Sequence, residues 1–263
     1  MRSFRIFIAM VCLGLTGLVT EAFITINNKN ISKPEAAGKG FAVVELFTSE
    51  GCSSCPSADA LVAKVQKESA DKPIYILAFH VDYWNRLGWK DVFSNHDYSI
   101  RQYQYSKWIK SEVYTPQVIV NGHTEFVGSD EKSLRNAISA GLEKSAKTEL
   151  SLNSIKVEGD KAILQYHVAN ANGSNLLIAL IEKNATTKVK SGENGGRTLA
   201  HVQIVSQLKS IALKSIGGNE NIALPHGFDP QKFELIGFVQ NTQTGEITGA
   251  TKAEFPSTVS AKI

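Results

Sequence analysis

Two cysteines set the frame for this chain. Cys52 and Cys55 stand where an apolar run, Phe41-Ala-Val-Val-Glu-Leu-Phe-Thr48, hands over through Ser49-Glu-Gly51 to a helical pattern. A short apolar run with β-branched Val43 and Val44 at its middle, stopped by a glycine, predicts a strand buried on both faces. After Pro56 the period changes. Ala58, Leu61, Val62 and Val65 fall on one stripe of an amphipathic helix expected to end near Ser69. Pro56 suits a first turn, where its missing amide hydrogen would have had no intrahelical partner.

That placement bears on reactivity. The free amides and positive dipole end of a helix stabilise a thiolate, and can bring a thiol from about 8.5 to the range 3.5–7.5, roughly. Cys52 lies on the loop side beside Gly51 and is expected to be the exposed attacker. Cys55, three residues on, is near enough to close a disulfide with it and to resolve a mixed disulfide. The plainer alternatives are a structural bridge or half of a zinc site. Zinc needs four ligands, and a chain with 3 cysteines holds no second pair. A bridge closing so small a loop adds little chain-entropy stabilisation. A C-x-x-C beside a β-α pattern therefore reads as redox chemistry.

The N-terminus adds a compartment. Arg2 and Arg5 precede an apolar stretch, Ile6 to Val19, too short to span a bilayer comfortably, and Thr20-Glu-Ala22 offers small residues for cleavage after Ala22. The expectation is a signal peptide over residues 1–22 and an exported protein, periplasmic or secreted, with no stable membrane anchor. An uncleaved anchor is the alternative. Cys12 leaves with the leader, so the mature chain keeps only Cys52 and Cys55. An exported protein whose only cysteines form one C-x-x-C suits exchange better than stapling. Charge is nearly balanced at 28 basic against 25 acidic residues with no basic block, which argues against nucleic-acid binding. No cofactor is expected.

Residues 23–40, broken by Pro34, Gly38 and Gly40, read as a linker. Ile74 to Val81 is a second buried strand, leading into His80, Asp82, Tyr83 and Trp84. Ser94 with Asp97 resembles a capping box for a helix to about Lys110. Tyr114-Thr115-Pro116 precedes a third strand, Val118 to Val120, and Glu125 to Val127 is a short fourth. Ser129 is expected to cap a helix whose Leu134, Ala137, Ile138, Gly141 and Leu142 share a face. Beyond Thr148 the texture is β: Glu149–Val157 and Lys161–Ala169 flank Glu-Gly-Asp160, Leu176–Ile181 is wholly apolar, and Phe233–Val239 and Ile247–Thr251 flank Thr244-Gly245. Ser191-Gly-Glu-Asn-Gly-Gly-Arg197 lacks the ending of a phosphate loop and is expected to be a mobile loop.

The order strand, C-x-x-C helix, strand, helix, Thr-Pro, strand, strand, helix over residues 41–147 resembles the thioredoxin fold. The resemblance implies an α/β thioredoxin-like domain, followed over 148–263 by an antiparallel β-sandwich-like domain. It also implies a cis-proline at Pro116 facing the cysteines, with the Thr115 backbone pairing with a substrate chain. Glu45 would be the buried acid that moves protons for the resolving cysteine; the alternative is an acid at a sheet edge bonded to nearby backbone. The chain departs from the family pattern in its Ser-Ser between the cysteines and in extra helical sequence before Pro116. More closely, Val44 to Pro56, Ala78 to Trp84, Leu87 to Asp91, Tyr114 to Gln117 and the stretch through Leu199-Ala-His201 resemble a family of exported bacterial proteins of undefined function.

The expected function is thiol–disulfide exchange on protein or small-thiol substrates, with a redox partner protein. Cys52 attacks, Cys55 resolves, Pro116 shapes the groove and Glu45 relays a proton. Thr115, Tyr114, His80 and Trp84 are candidates for contact with a client. Two alternatives stand beside it: a copper-delivery module using Cys52, Cys55 and His80, and a non-catalytic interaction protein. His80 also fits a tuner of Cys52 or a core histidine. Tyr83, Trp84, Trp89 and Trp108 fit either a core or a shallow aromatic groove for an unfolded peptide.

Overall fold

The computed structural model describes residues 39–69 and 71–256. The expected leader, Cys12 and the linker up to residue 38 lie outside the described residues. The apolar run before the cysteines forms β1 (Ala42–Thr48), buried along its whole length. The next apolar run, β2 (Ile74–His80), lies parallel to it in register, with Thr48 opposite His80. On its other side β1 pairs antiparallel with β3 (Gln117–Val120), which pairs in turn with β4 (Thr124–Val127).

Side chains alternate across this sheet. Ala42, Val44 and Leu46 point to the face covered by α1 (Cys55–Glu68) and α3 (Glu131–Glu143), with Val62, Leu134 and Ile138. Val43 and Phe47 point to the opposite face, under Tyr98 and Tyr105 of α2 (His96–Ile109). The helix caps differ from expectation by one residue each. Asn95 caps α2 by accepting from the Asp97 amide, while Ser94 is spent on bonds to Asp91 and Asn85. Asp130, which accepts from the Ser133 amide and hydroxyl, caps α3 in place of Ser129.

The second half contributes β5 (Glu149–Glu158), β6 (Lys161–Ala169), β7 (Ser174–Lys188), β8 (Thr198–Ala212), β9 (Gly217–Ala223), β10 (Phe233–Asn241) and β11 (Ile247–Glu254). Four of these extend the first sheet into an eight-stranded one, in the order β11-β10-β7-β8-β2-β1-β3-β4. The join is a parallel contact of β2 with β8 at Ala78 and Ile204. The antiparallel sheet β5-β6-β9 packs over the outer part, where Leu152, Leu164 and Ile222 meet Leu176, Ile178, Leu180 and Leu235. The architecture is thus a mixed α/β sheet with helices plus a small antiparallel sheet. Two strands, β8 and β9, were not expected. The Gly-Gly-Asn-Glu-Asn core of β9 carries little apolar signal, and β8 holds its shape mainly by pairing along β7.

Candidate functional site

The site grows from the end of β1. Cys55 opens α1 with Pro56 beside it in the first turn, and Ser54 precedes the helix. Cys52 and Cys55 lie at disulfide distance, with Cα atoms 5.4 Å apart. Cys52 Sγ is 3.3 Å from the Ser54 hydroxyl, which can donate to a thiolate there. Both cysteines are fully buried, which corrects the expectation of an exposed Cys52.

A segment from far along the chain is docked on the backbone around Cys52. The glycine-rich segment after β7 is not a free loop. Its fully buried Asn194 donates from Nδ2 to the carbonyls of Glu50 and Cys52, at 2.9 Å each. Glu193 Oε2 accepts from the Ser53 amide at 3.0 Å, and Ser191 donates to the Gly88 carbonyl at 2.6 Å. The peptide unit joining Cys52 to Ser53 is therefore held on both its polar groups. The two Ser53 hydrogen bonds keep the Glu193 carboxyl below the usual carboxylate range. Gly192 has φ +76°, a conformation that glycine adopts without strain, and this brings the loop against Trp89.

Beneath the cysteines lies a buried polar cluster. Thr48 and His80, neighbours in register, project to the α1 face. Thr48 Oγ1 donates to Asp59 Oδ1 at 3.1 Å, and Asp59 stands one helical turn after Cys55. Burial pushes the Asp59 carboxyl above its ordinary value, against the pull of His80 and His201. His80 Nδ1 is bonded to Asp91 Oδ2 at 2.7 Å. Burial disfavours its imidazolium, but the Asp91 carboxylate, with Asp59 and Glu50, outweighs that and raises the histidine. Burial likewise opposes the Asp91 carboxylate, and His80 with the Glu50 and Phe93 amides more than compensates, so Asp91 is lowered. His201 of β8 lies edge-on to His80 with ring centres 4.9 Å apart, 3.4 Å from Glu50 Oε1 and 3.9 Å from Asp59 Oδ2. Glu50 also accepts from the Trp89 indole at 2.7 Å. Among the described residues, Glu50 Oε1, His80 Nε2 and both ring nitrogens of His201 lack a hydrogen-bond partner.

Glu45 stands elsewhere. Its place between Val43 and Phe47 turns it to the α2 face, away from α1. There it is fully buried, with Arg101 donating to both carboxylate oxygens at 2.6 and 2.9 Å and the Tyr105 hydroxyl bonded to it as well. Arg101 and Tyr105 also bond Gln240 of β10, so this network ties the two halves of the sheet. The proton-relay reading of Glu45 gives way to a structural one, and the buried acid on the cysteine side is Asp59.

The remaining candidates divide. The Thr115–Pro116 bond is cis. Trp84 packs on Gly51, where an added Cβ would meet the Trp84 Cβ at 3.1 Å, and its indole donates to Thr115 Oγ1 at 2.8 Å. Trp84 thereby links the cysteine loop to the Thr-Pro turn. Tyr114 is turned the other way, its hydroxyl on Glu125 and its carbonyl accepting from Gln102. Among the described residues no three His, Cys, Asp or Glu groups are arranged to hold a metal ion, and His80 is turned into Asp91. Trp108 packs against Tyr105 in the α2 core, as a core aromatic does.

Sequence reasoning missed Asp59, Asp91, Glu193 and Asn194, and left His201 without a role. Asp59 did carry a signal, as an acid beside Ala58 on a stripe otherwise apolar. The pairing of Asn194 with Cys52 crosses 142 residues of chain and left none.

A family model described as "Protein of unknown function (DUF1223)" matches residues 43–240. Among solved structures, the chain is similar to protein AGR_C_4864 from Agrobacterium tumefaciens, at 27% identity and a TM-score of 0.63, covering 82% of this chain and 95% of that one. A domain of the outer membrane lipoprotein Omp28 from Porphyromonas gingivalis also matches, at 16% identity and a TM-score of 0.25, covering 42% of this chain and 88% of that one. No curated protein matches.

Proposed function

The chain belongs to the DUF1223 family, and we propose that it is an exported thiol–disulfide oxidoreductase of thioredoxin-like build, working on cysteines of protein clients. The observation that carries this reading is the pair Cys52–Cys55 at disulfide distance at the start of α1, with the buried Asp59 one turn beyond. The Ser54 hydroxyl and the amide end of α1 favour a thiolate at Cys52. That thiolate attacks a client disulfide, the client's second sulfur leaves as a thiolate, and a mixed disulfide forms on Cys52. Cys55 then gives its proton to the Asp59 carboxylate and attacks the Cys52 sulfur, which releases the client. Client disulfide is reduced and the pair is oxidised. In reverse, the Asp59 acid supplies the proton to Cys55 as it leaves, and its raised carboxyl holds that proton in readiness. Trp84, packed on Gly51 and bonded to Thr115, supplies one wall of the client groove.

The test is turnover. The mature protein should catalyse thiol–disulfide exchange in a model disulfide protein with glutathione as the small redox couple, and Cys52→Ser should abolish it. Equal rates for the two proteins and for the uncatalysed mixture would overturn the assignment.

A further inference from the structure

We propose that the loop after β7, residues 189–197, is a latch that decides which thiols reach the redox pair, and that exchange requires it to lift. This rests on the oxidoreductase reading above and adds the control of access to it. An exchanging pair must meet a foreign sulfur in line with its own, yet Cys52 and Cys55 are both fully buried.

The loop has the build of a part that can come away. It closes on itself, with Val189 N donating to Arg197 O at 2.9 Å, Gly196 N to Val189 O at 2.9 Å and Gly195 N to Gly192 O at 3.0 Å. Its hold on the site is polar: Asn194 on the Glu50 and Cys52 carbonyls, Glu193 on the Ser53 amide and Ser191 on the Gly88 carbonyl. Of the loop's residues only Val189 and Asn194 are buried, so lifting the segment beyond Val189 uncovers almost no apolar side chain of the loop itself. The groups it releases are backbone amides and carbonyls that water can satisfy. Segments held by few apolar contacts and by surface hydrogen bonds open at a small fraction of the global unfolding free energy.

The geometry also shows why opening matters to the chemistry and not only to access. Glu193 puts a carboxylate on the amide that follows Cys52. A negative charge there competes with a Cys52 thiolate for the same end of α1. Asn194 holds the Cys52 carbonyl, and Arg197 Nη1 donates to Asn194 Oδ1 at 2.6 Å, which fixes the amide in the orientation that donates. Closed, the loop clamps the backbone on both sides of the Cys52–Ser53 peptide and disfavours the thiolate. Lifted, it does neither.

The oxidised mature protein reports this directly through the rate at which dithiothreitol reduces Cys52–Cys55. In one variant residues 190–196 are replaced by Asn-Gly, a two-residue turn that suits the hairpin between paired Val189 and Arg197. Two milder variants, Asn194→Ala and Glu193→Ala, keep the loop and remove its grips. The loop replacement should raise the reduction rate tenfold or more, and the single variants severalfold. A larger gain is expected for a dithiol carried on a bulky protein than for dithiothreitol. Equal rates in wild type and in folded Asn194→Ala and Glu193→Ala proteins would overturn the latch even if the replaced loop failed to fold. Failure of the oxidoreductase reading looks different. There the variants would be reduced faster by dithiothreitol yet catalyse no exchange in a client protein.

Discussion

Thr48 Oγ1 donates to Asp59 Oδ1 at 3.1 Å and so ties the last residue of β1 to the helix that begins with Cys55. The bond fixes an acid one helical turn after Cys55, on the face of the sheet that α1 covers. A one-residue shift along β1 would have given that role to Glu45, and the alternation of the strand forbids it.

Asp59 should govern the pH dependence of exchange. Burial raises its carboxyl, so the acid form persists above the ordinary value of about 3.9. Asp59→Asn should slow release of Cys55 by roughly 10²-fold or more, and should remove one limb of the pH–rate profile. Rapid-mixing measurements across about pH 4–9, which spans activated and free thiols, would show it. Stability should move the other way. A group with a raised folded pKa stabilises the fold below its unfolded value, and that contribution is lost as pH rises through the folded value. Asp59→Asn removes this loss, so at alkaline pH the variant should resist denaturant better than wild type.

The two cysteines should differ in what they trap. Cys55→Ser keeps the attacking thiol and lacks the resolving one, so it should accumulate mixed disulfides with clients, visible on non-reducing gels. Cys52→Ser should give none. The same adducts from both variants would reverse the assignment of roles.

The His80–Asp91 pair should confine stability to a window. His80 is raised, so its contribution is complete below about 6.5 and fades as pH climbs through the folded value. Asp91 is lowered, so its contribution is complete above about 3.9 and fades as pH falls through the folded value. Asp91→Asn should flatten both edges and cost about 3–5 kcal/mol inside that window, between about pH 4 and 6.5, since it strips a partner from a buried charge. Denaturant titrations at a series of pH values measure this.

Glu45→Gln should lower stability by about 3–5 kcal/mol through the uncompensated Arg101, and leave the Cys52 thiol unchanged in reactivity. Equilibrium unfolding and alkylation of the reduced protein separate the two effects. A shifted thiol reactivity would restore the relay reading of Glu45.

The cysteine motif, β1, β2, α1 and the apolar faces of α3 and β6 were legible because each is a local pattern with one period. The cis Thr115–Pro116 turn came from the strand that follows Pro116, the extended Val113-Tyr114 before it and the family resemblance, not from period. Glu45 was misplaced because the strand's face was not counted from Val43 and Phe47. The latch was beyond reach. Asn194 and Glu193 act through backbone groups some 140 residues away, as with Glu193 on Ser53, and a glycine-rich stretch looks the same in sequence whether docked or free. His201 is equally remote. Its strand turns at Gln203, where φ is +54°, and this local irregularity hides which face the histidine takes.

The central claim is that Cys52–Cys55 is an exchanging pair, and its reduction potential tests that most directly. The protein, equilibrated in glutathione buffers of graded ratio and quenched with acid, should show a two-electron transition. The account predicts a potential of about −120 to −270 mV, the range of proteins that donate or accept disulfides. A pair still oxidised below about −300 mV, as structural disulfides are, would contradict it.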